Sequence, residues 1–163
     1  MRKLLLSILL VSACASTSQL DPQPQIHAVL DDWHKAASEA DEPRYFGHMT
    51  SDAVFLGTDA TERWAGTSFR EFAHPHFAKG TGWTFTPHDR HITVSPGGDV
   101  AWFDEKLDSK SYGDCRGSGV LRREGGSWKL AHYNLTIPIP NDLATPVVKM
   151  IRDSAANGAA TPK

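Results

Sequence analysis

The chain has 163 residues, of which 22% are charged, and its formal net charge is −2. This length suits a single domain core rather than two. Acidic and basic residues are nearly balanced, and the basic residues are not clustered. This excludes the basic face that nucleic-acid-binding proteins present, so we expect no nucleic-acid partner.

The N-terminal residues are typical of a secretion signal. The apolar run 4–11 is much shorter than the ~20 residues that a membrane-spanning helix needs. It ends in VSAC at 11–14, which resembles a bacterial lipobox and implies lipid attachment at Cys14. In such lipoproteins a residue other than Asp after the cysteine, here Ala15, favours sorting to the outer membrane over retention in the inner membrane. We therefore expect an envelope lipoprotein that faces the periplasm and contacts the membrane through its lipid anchor; the alternative is an ordinary signal peptide with a chance cysteine.

Composition divides the rest of the chain into three parts. Residues 15–24 are small, polar and proline-containing, which predicts a flexible tether. Residues 25–141 carry the periodic apolar patterns of a folded domain. Residues 142–163 form a C-terminal extension that we expect to be partly disordered.

Three helices are predicted in the first half of this domain. The first follows from apolar residues at helical spacing: Ile26, Val29, Leu30, Trp33 and Ala37. Asp41 and Pro43 suit the start of a second, short helix. A third begins near the capping-box pattern Ser68-x-x-Glu71, and Pro75 should kink or end it.

The remaining patterns predict strands. Segments 53–58 and 62–65 flank a short turn and form a candidate hairpin. Four further runs are separated by turn sequences, which favours consecutive antiparallel pairing: 83–95, 100–107, 115–123 and 128–137. The predicted fold class is α+β, with three N-terminal helices packed on a curved antiparallel sheet.

The pattern over residues 24–140 resembles the SnoaL-like branch of the nuclear-transport-factor-two-like superfamily, whose cone-shaped fold is also called cystatin-like. The stretches that carry the resemblance are 52–55, the hairpin to 64–67, the helix at 68–77 and the closing strand at 127–134. The resemblance implies the fold. It does not imply one function, because this fold hosts isomerases, dehydratases, cyclases and binding proteins.

Ketosteroid isomerase, a relative within this superfamily, uses a carboxylate base and an oxyanion hole. Matching its machinery to this sequence places Gly57 at the base, Trp33 at the tyrosine donor and Gly119 at the protonated acid. Glycine cannot take a proton, so the resemblance argues against isomerisation by that arrangement.

Three other side chains are candidates for acid–base catalysis. Strand alternation places Glu105 among the apolar residues Ala101, Phe103 and Leu107, and burial of a carboxyl group often marks a site. His132 is assigned to the cavity side of the last strand, and Asp59 lies two residues beyond Gly57. Each has a structural alternative: an ion pair or an open rim for Glu105, a hydrogen-bonded core histidine for His132 and a turn residue for Asp59.

The predicted ligand-binding wall is mostly aromatic. Its members are Trp33, Phe55, Trp64, Trp83, Phe103 and Asn134. Aromatic walls are more often core than ligand platform. Neither His74-Pro75-His76 nor His88-x-x-His91 has a zinc-ligand spacing, so we expect no metal and no cofactor.

Three functions fit these patterns. The first is an envelope lipoprotein that binds a small, largely apolar molecule in its cone. The second is an acid–base enzyme of the dehydratase, isomerase or cyclase type that uses Glu105, His132 and Asp59. The third is an interaction module that forms a homodimer through the convex face of its sheet. An enzyme requires at least two titratable groups converging on one cavity.

Overall fold

The computed structural model of the protein describes residues 21–156. The chain begins with α1 (Gln23–Ser38), α2 (Glu42–Gly47), β1 (Met49–Leu56), β2 (Arg63–Ala65) and α3 (Thr67–Ala78). Four long strands follow: β3 (Thr86–Val94), β4 (Val100–Ser109), β5 (Gly113–Glu124) and β6 (Ser127–Thr136). A fourth helix, α4 (Ala144–Ala156), ends the described part.

The helices form where the apolar spacing predicts them. Ile26, Leu30 and Trp33 of α1 are buried against the sheet. At the start of α2, Asp41 accepts a hydrogen bond from the Arg44 backbone N–H at 3.2 Å, as its capping role predicts. The capping box predicted for α3 is wrong: Ser68 Oγ bonds to Ala65 instead, and Pro75 lies within the helix without ending it.

One six-stranded sheet has the order β2-β1-β6-β5-β4-β3. The predicted β1–β2 hairpin and the consecutive pairs from β3 to β6 are antiparallel, whereas β1 runs parallel to β6. β6 is therefore central. The α+β class, with N-terminal helices on a mostly antiparallel sheet, is confirmed.

Regular alternation holds along β4 but not along β6. In β4, Ala101, Phe103, Glu105 and Leu107 all face the core, as predicted. In β6, the pairing with β5 shifts between Leu130 and His132, which marks a β-bulge. Because one extra residue reverses the phase of all side chains beyond it, Tyr133 faces the core in place of His132.

The segment after β6 differs from the rest of the fold. α4 has no buried side chain, and its Val148, Met150 and Ile151 are exposed. This helix occupies part of the extension predicted as partly disordered. No helix within residues 21–156 has the length and apolar character required to cross a membrane.

Candidate functional site

A cavity of about 190 Å³ lies between the helices and the inner face of the sheet. For comparison, a dry cavity on the order of 150 Å³ is known to hold benzene. The wall is largely apolar because most of its residues are aromatic: Trp33, Tyr45, Phe55, Trp64, Phe69, Phe72, Trp83, Phe85, Tyr112 and Tyr133. The cavity therefore has the size and lining to accept a compact ring compound.

His34 supplies an imidazole to this wall and is held by Glu105. His34 lies on α1 and is 7% exposed, and Glu105 on β4 is fully buried. His34 Nε2 lies 2.8 Å from Glu105 Oε1, and the Tyr133 hydroxyl donates to the same oxygen at 3.1 Å. The imidazole is thus fixed at the cavity by a carboxylate behind it.

The second oxygen of Glu105 is bound to an arginine. Arg90 Nε donates to Glu105 Oε2 at 2.7 Å, and Arg90 Nη1 donates to Asp31 Oδ1 at 2.8 Å. Burial disfavours the Glu105 anion, but the hydrogen bond and charge of His34, together with those of Arg90, outweigh burial and hold the pKa of Glu105 below its ordinary value. Glu105 is therefore an anion near neutral pH.

The ionised form of Glu105 determines which nitrogen of His34 can act on a ligand. A carboxylate only accepts hydrogen bonds, so the neutral imidazole must carry its proton on Nε2. Nδ1 makes no hydrogen bond with the described residues. It can therefore accept a proton from a molecule in the cavity and return it, which is the behaviour of a general base and acid.

Tyrosine and tryptophan supply further polar atoms around the cavity. Burial raises the pKa of Tyr133 well above its usual value, and the neighbouring Glu105 raises it further, so Tyr133 remains a hydrogen-bond donor. Trp33 Nε1 is buried and has no hydrogen-bond partner within residues 21–156. A buried indole N–H without a partner is unusual and carries an energetic cost.

A carboxylate also occupies the rim, but it is not the one predicted. A side chain at Gly57 would collide with Glu62, because a Cβ there would lie 2.3 Å from Glu62 Oε2. Glu62 lines the cavity together with Gly57. Asp59 remains in the turn, where its Oδ1 accepts hydrogen bonds from the backbone and hydroxyl of Thr61 at 2.8 and 2.6 Å. Glu62, rather than Asp59, is therefore the carboxylate residue that lines the cavity.

Four of the six predicted wall residues line the cavity: Trp33, Phe55, Trp64 and Trp83. Phe103 is buried in the core beneath it, where the absence of a side chain at Gly119 leaves room for its ring. Glu105 also lies behind the cavity wall, in contact with His34.

The predicted positions of His132 and Asn134 are wrong. They pair with Val120 and Ser118 of β5 and lie on the opposite face of the sheet from Tyr133 and Leu135. The β-bulge before His132 causes this difference. His132 therefore does not meet Glu105, and the described part of the chain brings His34 to that carboxylate instead.

Sequence reasoning also missed His34, Tyr133 and Arg90. His34 had a detectable signal, since it follows Leu30 by four residues and therefore shares the buried face of α1. Tyr133 and Arg90 had none, because each reaches the interior through a strand irregularity. Within residues 21–156 no three side chains of the types that bind metals are grouped to hold an ion.

Family and structure comparisons agree with this fold. The SnoaL-like domain family profile matches residues 26–140, and the chain belongs to that family. A search of curated proteins finds no match.

Several solved structures share the fold at low sequence identity. An NTF2-like protein of unknown function from Pseudomonas putida is 17% identical, with a TM-score of 0.61 over 76% of this chain and 93% of that one. A proposed dehydratase of the NTF2-like family from Streptomyces avermitilis is 17% identical, with a TM-score of 0.59 over 72% and 96%. A ketosteroid isomerase-like protein from Erwinia carotovora atroseptica is 21% identical, with a TM-score of 0.53 over 74% and 98%. These likenesses extend to the fold alone.

Proposed function

We propose that the domain binds a small, largely apolar ring compound and transfers a proton on it, as dehydratases and isomerases do. The observation that carries the proposal is the His34–Glu105 pair at the wall of an aromatic cavity. His34 Nδ1 is the acid–base group, and Glu105 orients it. Glu62 at the rim is a second titratable group on the same cavity, which an acid–base enzyme requires.

The cavity's chemistry narrows the class of ligand. An aromatic wall favours a flat or ring-containing molecule, since stacked and edge-to-face contacts add to the burial of apolar area. Proton abstraction by His34 favours a ligand with an acidified C–H bond, which a neighbouring carbonyl group supplies. A cyclic ketone with a hydrogen on the adjacent carbon combines both features, and removal of that hydrogen by His34 Nδ1 gives an enolate that the returned proton converts back to a ketone.

A plain binding protein is the alternative, and it requires the same cavity without proton transfer. The two functions can be separated with 2-tetralone as a probe. Binding is followed by the fluorescence of the three tryptophans in the wall, and proton transfer by NMR as exchange of the hydrogens next to the carbonyl in D2O.

We expect wild-type protein to bind 2-tetralone and to accelerate its exchange. The variant His34→Gln keeps a donor towards Glu105 but has no basic nitrogen, so it should bind normally while exchange falls by about 10²-fold or more. His132→Gln, on the outer face of the sheet, is the matched control and should behave as wild type. Binding without any accelerated exchange in wild-type protein would favour the binding protein. Exchange that survives in His34→Gln would refute the role of His34.

We also propose that the mature protein is an outer-membrane lipoprotein anchored through Cys14. The lipobox at 11–14 supports this proposal, and these residues lie outside the described part of the chain. The tether at 15–24 would let the domain stand clear of the membrane surface.

A further inference from the structure

Arg90 reaches Glu105 through an irregularity in the β3–β4 pairing. His88 pairs with Lys106, and the next pair is His91 with Asp104, so the two residues 89 and 90 lie opposite Glu105. Asp89 has the positive φ of 49°, which aspartate tolerates better than most residues. This extra residue is a β-bulge, a feature that often redirects a side chain near a site.

If the His88–Lys106 register continued without the bulge, Asp89 would lie opposite Glu105. Two carboxylates would then face each other in the interior, which is strongly unfavourable. The bulge turns Asp89 outward, where it pairs with Lys106 at 2.6 Å, and turns Arg90 inward, where its side chain is 5% exposed. The bulge thus places the Arg90 guanidinium, which attracts the Glu105 carboxylate, where the Asp89 carboxylate would repel it.

We propose that Arg90 is a positioning residue for His34. By occupying Glu105 Oε2, it confines the carboxylate to a purely accepting role, so that His34 donates from Nε2 and presents Nδ1 to the cavity as its unprotonated nitrogen. Arg90 lies behind Glu105 and reaches the His34 imidazole through that carboxylate. The inference rests on the proposed role of His34, but its test does not require a substrate.

Every element around Glu105 contributes to this arrangement. α1 presents His34, β3 presents Arg90 and β6 presents Tyr133, so three donors converge on the two carboxylate oxygens. The β5 residue opposite Glu105 is Gly117, which brings no charge. Three donors leave no favourable place for a proton on Glu105, because a proton on Oε2 would face the N–H of Arg90.

The outer side of Arg90 is anchored to α1. Asp31 accepts from Nη1 at 2.8 Å, and the backbone oxygen of His27 lies 3.4 Å from the same nitrogen. The guanidinium fork can hold both carboxylates at once, which the single ammonium group of lysine cannot do with the same geometry. The helix that carries His34 and the strand that carries Glu105 are therefore tied to one side chain.

The test is the tautomer of His34, read from long-range ¹H–¹⁵N correlation spectra of the full-length protein. Spectra are recorded at about pH 8, above the ordinary histidine pKa of ~6.5. Wild-type His34 should carry its proton on Nε2 and show an unprotonated Nδ1. In Arg90→Gln, loss of a charge-assisted hydrogen bond should raise the minor Nδ1–H population by about tenfold or more. Asp89→Asn keeps a residue suited to positive φ and should match wild type.

Arg90→Lys keeps the proposal testable if Arg90→Gln does not fold. It retains the charge but not the fork, so its minor tautomer population should lie between those of wild type and Arg90→Gln, and above that of wild type. A wild-type ring protonated on Nδ1, or on both nitrogens, would overturn the proposal. So would wild-type spectra in all folded Arg90 variants. If the tautomer responds as expected but 2-tetralone exchange is absent, the positioning role stands and the proton-transfer function fails.

Discussion

Replacing Glu105 with glutamine tests the buried network directly. The side chain keeps its shape, but the negative charge between His34 and Arg90 disappears, and an amide NH2 must face one of the three donors. Removing one partner of a buried ion pair typically costs about 3–5 kcal/mol, because the remaining charge stays buried. Asp31 still neutralises part of the Arg90 charge, so we expect a loss of about 3 kcal/mol. In a domain of this size that corresponds to a Tm lower by roughly 10 °C.

The assay is urea unfolding and thermal unfolding at several pH values. Glu105 has a lowered pKa in the folded state, so its stabilisation is present above the unfolded-state pKa and is lost as the pH falls through the folded-state value. The difference between wild type and Glu105→Gln should therefore be largest near neutrality and shrink in acid. Glu124→Gln removes a half-exposed partner of Arg122 and should cost at most about 1 kcal/mol. A loss for Glu105→Gln no larger than for this control would refute the reasoning.

Three further predictions follow from separate features. In Gly117→Ala, the new Cβ would lie 2.1 Å from the hydroxyl oxygen of buried Tyr133, so the free energy of unfolding in urea should fall by about 2–4 kcal/mol. The control Gly47→Ala adds its methyl group in open space and should leave the stability nearly unchanged. The hydrogen bond from Arg44 lowers the pKa of Asp32 below its ordinary 3.8, so Asp32→Asn should cost up to about 1 kcal/mol of stability at pH 7. The difference from wild type should shrink as the pH falls below 3.8, measured by acid unfolding; an unchanged acid profile would contradict this. Cys14→Ser should abolish partition into membranes and the lipid mass, and unchanged fractionation and mass would contradict the lipobox interpretation.

Much of the fold was predictable because its determinants are local. Helical spacing identifies the buried face of α1, and turn sequences separate strands whose pairing then follows chain order. The parallel contact between β1 and β6 is different. It joins segments far apart in the chain, so only packing of the whole domain determines it.

The residues of the candidate site likewise fall into those set by local sequence patterns and those set by long-range packing. Glu105 was predictable because β4 alternates without interruption, and the tryptophans were predictable as an apolar wall. His132 was misplaced, and Arg90 was missed, because each strand contains a bulge whose position no residue pattern announces. A single extra residue reverses which face a side chain occupies. The sequence by itself therefore determined which groups were available for acid–base chemistry, and the tertiary structure decided that His34, Glu105 and Arg90 meet, because pairing across the sheet sets the phase of each strand.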